Sequence, residues 1–364
     1  MSLSVAPRTP AADARTERLL WLSAAGLIAL FLTCLRLTTT EPFELTTFAR
    51  LIDFDAVEPF QHRVLLPAAA AGIQAVAPLG ETLLFGLMEM GFWMALIGVA
   101  YRALAQFGIG ESTLSRRLLA FTIVIPMLLH LITPDLQITQ SFSASDDRLD
   151  LGTWEPRAIY YYVYDLPAAV FTLALVLMLS RLAERPHAAG IAAYLAVFAV
   201  ATFNRETMVF LLPFVALLFW QRLSFTRWAA FLAAQALLFA AIQLPLQWLF
   251  ADNVNPNAQL GSTQYEFHLV YNLIALSSPL YALTYIARFA AGLYLPLLVW
   301  RRHLDRRLAL ALIGFALPLA LFAVVVGRLV EQRIFIEIVP LIWLGALQVI
   351  SARCADTGAT DARR

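Results

Sequence analysis

The segment LIDFDAVEPFQHRVLLP, Leu51 to Pro67, places three acids ahead of a Gln-His-Arg triplet at the edge of an apolar stretch. A carboxylate of Asp53, Asp55 or Glu58 has the chemistry of a general base. Arg63 beside it has the planar fork that grips phosphate bidentately, with Gln61 and His62 as further polar contacts. The competing reading is a solvated acidic loop ending in an arginine that snorkels to an interface.

Three other stretches join polar chemistry to apolar surroundings. In YYYVYDLP, Tyr160 to Pro167, Asp165 follows Tyr161 and Tyr162 by four and three residues. On one helix those hydroxyls would reach the carboxylate or line a sugar site, or the tyrosines would form an aromatic belt. In AVATFNRETMVFLLPF, Asn204, Arg205 and Glu206 interrupt an otherwise apolar run. An ionised side chain at a bilayer centre costs at least ~2.5–3.5 kcal/mol, so the triplet either pairs locally or serves a site. In GRLVEQRIFIEIVP, Arg328 and Glu331 are three apart and, if the last helix begins by Arg333, Arg333 and Glu337 are four apart on it. Glu337 then either serves a site as an intramembrane acid or pairs with Arg333 to pack one helix on its neighbour. Glu89, Arg288 and His130 each stand alone in an apolar run and read as bundle-facing structural polars.

The elements around these residues are read from hydropathy. The chain has 364 residues, 60% hydrophobic and 14% charged, with mean hydropathy +0.72. Soluble domains carry roughly 25% charged residues, so an integral membrane protein is expected. Apolar runs long enough for spanning helices, rather than short alternating segments, point to an all-α polytopic bundle of about 10–11 membrane helices. The runs lie near 19–37, 82–104, 117–134, 159–181, 188–203, 207–221, 228–250, 279–300, 307–327 and 333–351. A shorter stretch, 64–79, spans, re-enters or lies at the interface. Residues 1–17 and 352–364 read as cytoplasmic tails flanking one transmembrane domain over 18–351, with larger loops near 38–63, 135–158 and 251–278.

All 26 basic residues are arginine, and the formal net charge is +1, so no global field argues for nucleic acid. Arg116/Arg117, Arg181/Arg185, Arg222/Arg227 and Arg301/Arg302/Arg306/Arg307 share one face with the N-terminal arginines and Arg353. Cytoplasmic loops are enriched in such residues, which predicts cytoplasmic N- and C-termini. All four polar constellations then fall at the opposite, extracytoplasmic side. The two cysteines imply no disulfide framework, and no Cys-x-x-Cys or His cluster has metal-ligand spacing. No cofactor is indicated, and a divalent ion on the carboxylates stays open.

Arginines at a lipid boundary suit phosphate, whereas acids and tyrosines suit sugar hydroxyls. The layout of many helices, an acidic loop after the first and an outward site resembles the C-type (GT-C) polytopic membrane glycosyltransferases. The segments PFQHRVLLP, FNRET and EQRIFIEIVP resemble those of bacterial polytopic proteins grouped near that superfamily. The architectural likeness covers about residues 19–351, without the soluble C-terminal domain of larger members or their paired adjacent acids. The resemblance implies a bacterial inner-membrane enzyme. It would move a sugar from a polyprenyl-phosphate donor to a glycan, lipid or protein acceptor at the outer face. Asp53, Asp55 and Glu58 match the family's catalytic acid. Arg63, Arg205, Arg328 and Arg333 would take the phosphate, while Asp165 and Glu206 orient sugar or arginines. A transporter or flippase for an anionic lipid or metabolite, or a polysaccharide polymerase or ligase, would use the same residues.

Overall fold

The computed structural model describes residues 10–132, 136–138, 154–156, 160–253, 268–277, 279–327, 329 and 331–361. Among these, six helical segments are long and apolar enough to cross a membrane: 15–39, 81–106, 113–132, 165–184, 225–249 and 306–326. Shorter apolar helices lie at 65–74, 188–204 and 206–219.

Helix α1 (Pro10–Thr39) packs along α4 (Glu81–Gln106), which packs on α7 (Asp165–Glu184); α7 packs on α8 (Ala188–Asn204), and α8 on α10 (Phe225–Leu249). Helix α7 is the axis of the bundle, with 78% of its most apolar window buried against 22–44% for the other five spans. Its low-volume residues Ala168 and Ala169, fully buried, admit neighbours on all sides. Short helices α2 (Phe48–Ile52) and α3 (Leu65–Gln74) follow α1. At ~1.5 Å per residue α3 is half a bilayer long, so the 64–79 stretch does not cross as a helix.

Prolines set where the expected helices break, because each lacks an N–H and its ring clashes with the carbonyl four residues back. The run expected over 117–134 is α5 (Thr113–Phe121) and α6 (Val124–Ile132), interrupted just before Pro126. Pro213 stands where α9 (Leu211–Phe219) is entered through a 3-10 stretch, Glu206–Phe210. The 279–300 run divides into α12 (Pro279–Arg288) and α13 (Tyr294–Val299), beyond α11 (Leu269–Ser277). Between α12 and α13 Ala290, Ala291 and Gly292 take left-handed φ of 46°, 56° and 71°, four to six residues before Pro296. Helices α14 (Arg306–Ala311) and α15 (Leu317–Val326) are joined by a π turn, Leu312–Ala316, that accommodates Pro318. The last helix, α16, runs Val339–Asp361 and not from 333, because Pro340 belongs in a first turn. It continues through residues expected as tail, and α1 likewise begins within the expected N-terminal tail.

The π turn also brings α9 against Gly314, where a Cβ would lie 2.6 Å from the Phe214 Cα. Gly314→Ala therefore has to push two backbones apart. We expect it to destabilise the protein by about 1–3 kcal/mol, the range for overpacking, read as a lower unfolding midpoint in detergent. Gly26→Ala, with no neighbour within 4 Å of its Cβ position, serves as the neutral control.

The two ends of the bundle differ in polar chemistry. At one end, Arg117 pairs with Glu17 at 3.1 Å and Arg307 pairs with Glu184 and Asp305. Arg222 donates to the Ala183 carbonyl at 2.7 Å. At the other end lie the C-termini of α1, α8 and α10 and the N-termini of α4, α7, α9 and α16. There the 38–63 segment is ordered as a two-residue strand β1 (Glu41–Pro42), α2 and 3-10 turns at Glu44–Thr46 and Phe60–His62. Strands β2 (Leu136–Ile138) and β3 (Trp154–Pro156) pair antiparallel, and β1 pairs in parallel with β4 (Tyr160–Tyr161).

Candidate functional site

The loop after α2 is fastened from within. Phe54 takes a left-handed φ of 59°, and Asn253, just past α10, donates from Nδ2 to the Phe54 and Ala56 carbonyls at 3.0 Å each. The Asn253 carbonyl accepts the Glu58 N–H at 2.9 Å. The Gln61 Oε1 accepts the Ala56 N–H at 2.9 Å, and His62 Nε2 lies 3.2 Å from Glu58 Oε1. Gln61 and His62 thus shape the loop. Glu58 is buried, while Asp53 and Asp55 are exposed.

This folding aims Arg63 inward. Its Nε and Nη2 donate to the two carboxylate oxygens of Glu206 at 3.0 and 2.6 Å, a bidentate clasp between residues 143 apart. Burial opposes the guanidinium charge, yet Glu206 and the phenol of Tyr164 outweigh it and hold the arginine's pKa well above its usual value. Of the two readings of the triplet, the local Arg205–Glu206 pair gives way to long-range contacts from each residue. α8 ends at Asn204, whose Nδ2 donates to the Tyr164 carbonyl at 3.0 Å, and the extended Arg205 that follows sends its neighbours in different directions.

Arg205 points between two acids. Its Nη1 is 3.5 Å from Asp165 Oδ1 and its Nε 3.2 Å from Glu337 Oε1. Glu337 also accepts from the Thr207 hydroxyl at 2.6 Å. Asp165, fully buried, is the first residue of α7, where the helix dipole favours a negative charge. Its other oxygen is 3.8 Å from Arg333 Nη1, and Arg333 Nη2 donates to Glu331 at 2.5 Å. The helical Arg333–Glu337 pair is not formed, because residues 332–335 are a 3-10 turn and α16 starts later. Arg328 lies outside the described residues.

The tyrosines line this network instead of a lipid interface. Tyr161, Tyr162 and Tyr164 are buried, and the extended backbone at Tyr160–Tyr161 precludes the helical spacing to Asp165. Arg333 lies 3.6 Å over the Tyr162 ring and Arg63 4.3 Å over the Tyr164 ring, both cation–π distances. Phe60 stacks on Tyr162 with centroids 5.3 Å apart. Burial raises the pKa of the Tyr162 and Tyr164 phenols above the ordinary tyrosine value, with the arginines pulling against it.

Sequence reasoning missed Arg36 and misjudged Glu89 as solitary. Arg36, from the last turns of α1, pairs with Glu89 of α4 at 3.2 Å and donates to the Tyr162 carbonyl at 3.0 Å. The same carboxylate accepts from Trp93 Nε1 at 3.2 Å and from the Tyr161 hydroxyl. One signal was present: Arg36 sits far from the arginine-rich face, in an otherwise apolar run. His130, also treated as solitary, is buried with Nδ1 3.0 Å from the Pro126 carbonyl, and its ring packs against Phe289.

Four arginines (36, 63, 205 and 333) and five acids (89, 165, 206, 331 and 337) are thus gathered around one tyrosine strip at one end of the bundle. Several members retain buried atoms without a hydrogen bond. These are both Asp165 oxygens, Glu337 Oε2, Asn204 Oδ1, the Tyr164 hydroxyl, Arg36 Nε, and Arg205 Nε and Nη1, whose carboxylate contacts lack hydrogen-bond alignment. Among the described residues no group of three or more His, Cys, Asp or Glu side chains is placed to hold a metal ion. No protein-family model matches the chain, and no curated protein is significantly similar to it.

Proposed function

We propose that the chain is a GT-C-like glycosyltransferase of the bacterial inner membrane, with both termini cytoplasmic. On this reading it transfers a sugar from a polyprenyl-phosphate donor to an acceptor at the extracytoplasmic face. The observation that carries the reading is the pairing of Arg63 and Arg333 with neighbouring tyrosine rings, reached directly from the acidic loop that holds Glu58. A lipid-linked sugar combines an apolar chain, a phosphate and hydroxyls, and apolar helices, guanidiniums and acids come together at this end of the bundle.

In the reaction so read, a loop carboxylate takes the proton of the acceptor hydroxyl. Glu58, buried against His62 and the acid nearest Arg63 in sequence, is taken as that base, with Asp53 and Asp55 as its exposed alternatives. The acceptor oxygen bonds to the anomeric carbon as the bond from that carbon to the phosphate oxygen breaks. The electron pair leaves on the polyprenyl phosphate, where Arg63 and Arg333 stabilise the charge that develops. Arg205, Asp165 and Glu337 hold the frame behind them.

Purified protein supplied with radiolabelled polyprenyl-phosphate sugars and a membrane-extract acceptor should release polyprenyl phosphate and label the acceptor. Arg63→Ala should lower turnover by about 10²-fold or more, the scale for losing a transition-state charge donor. Undiminished turnover in Arg63→Ala and Arg205→Ala would overturn the assignment.

A further inference from the structure

The outer pairs of the network differ from its interior. The Arg63 and Glu206 side chains are 8% and 23% exposed, and those of Arg333 and Glu331 12% and 25%. Asp165 and Glu337 are fully enclosed. In both outer pairs the carboxylate is thus the more accessible partner. Behind each guanidinium lies a ring, Tyr164 for Arg63 and Tyr162 for Arg333, with the two ring centroids 5.6 Å apart. Each arginine therefore has one face on a phenol and its donors directed at a carboxylate.

Glu206 occupies Nε and Nη2 of Arg63, the same two donors a phosphate takes in a bidentate complex. Both acids sit on short turns and not in helix interiors. Glu206 opens the 3-10 stretch to Phe210, and Glu331 precedes the turn Gln332–Phe335. Either side chain can swing toward water without unpacking a helix. An arginine stripped of its partner in a buried site is strongly unfavourable, so a resident carboxylate keeps each guanidinium paired until an anion arrives.

We propose that Glu206 and Glu331 are placeholder counter-ions: they hold Arg63 and Arg333 on the tyrosine strip and give way to a phosphoryl oxyanion, which binds by exchange for the carboxylates. The proposal rests on the reading of this end of the bundle as a phosphate site, and not on sugar transfer. The interior acids are excluded from such exchange by their enclosure.

The test is binding without turnover, on full-length protein, with two probes: inorganic pyrophosphate in detergent, and a polyprenyl monophosphate incorporated in nanodiscs. Glu206→Gln and Glu331→Gln keep the shape of each acid and remove its competing charge. Each should tighten binding of at least one probe by about tenfold, the equivalent of a modest charge competition, and Arg63→Ala or Arg333→Ala should abolish it. Tightening with pyrophosphate alone identifies a soluble anion, and tightening with the nanodisc probe alone a lipid headgroup; both support exchange. Glutamine variants that bind no more tightly than the unsubstituted protein, or no binding of either probe by any form, overturn it. If Glu206→Gln does not fold, Glu331→Gln decides alone, because it lies on a separate turn. Tightened binding without sugar transfer would leave the exchange standing and refute the glycosyltransferase reading.

Discussion

Arg205→Ala is expected to destabilise the protein by ~3–5 kcal/mol, the scale for breaking a buried ion pair by removing one partner. Arg205 is the cation shared by Asp165 and Glu337, both fully buried. Its loss leaves Glu337 with the Thr207 hydroxyl and Asp165 with Arg333 at 3.8 Å. Neither acid can reach water to be solvated. The measurement is chemical unfolding in detergent, followed by helical circular dichroism. Arg205→Lys should recover little, since a compact ammonium lacks the spread of the guanidinium, which meets Asp165 from Nη1 and Glu337 from Nε. Arg205→Met combined with Glu337→Gln should recover part of the loss, because it removes cation and acid together. Full stability of Arg205→Ala would mean that the contacts to Asp165 and Glu337 contribute nothing.

A second large effect is expected at Glu89. Its carboxylate accepts from Arg36, Trp93 and Tyr161, and Arg36 in turn holds the Tyr162 carbonyl. Glu89→Ala leaves a buried guanidinium without its counter-ion between α1 and α4, again ~3–5 kcal/mol of destabilisation. It also releases the Tyr161 and Tyr162 anchors, so the strip beneath Arg63 and Arg333 should loosen. Hydrogen exchange over Tyr160–Tyr164 should then rise together with the fall in unfolding midpoint. Glu89→Gln retains an acceptor and should lose less. The Arg36→Met/Glu89→Leu double variant should be more stable than Glu89→Ala, because paired removal of buried charges is far milder than orphaning one. Exchange over Tyr160–Tyr164 unchanged in Glu89→Ala would show that this ion pair does not hold the strip.

The helical class was legible because apolar runs at membrane length have few alternatives. Yet among the described residues six segments are long and apolar enough to span, against the ten or eleven expected, because several runs form shorter or broken helices. Helix ends were less legible. Pro126, Pro213, Pro296 and Pro340 are visible in the sequence, yet only packing decides whether each yields a break, a 3-10 stretch or a new first turn. The polar constellations were found as short local strings, and local reasoning paired them wrongly. Arg205 and Glu206 are adjacent but turn apart, because the backbone is extended at Arg205. Arg333 and Glu337 have helical spacing without a helix between them. Arg63–Glu206 and Arg36–Glu89 join residues far apart in sequence, which spacing cannot reveal. Arg36 had no charged neighbour close by in sequence, and only its distance from the arginine-rich face marked it. Conversely, the loop reading of 38–63 hid an ordered element, since the hydrogen bonds that fix it come from Asn253, beyond α10.

The most direct test of the central claim uses proteoliposomes holding the purified protein and one radiolabelled polyprenyl-phosphate sugar, with an acceptor outside. The glycosyltransferase account predicts label covalently attached to the acceptor, stoichiometric release of polyprenyl phosphate, and loss of both in Arg63→Ala. Donor carried across the bilayer with its sugar–phosphate bond intact, and no label on any acceptor, would contradict it.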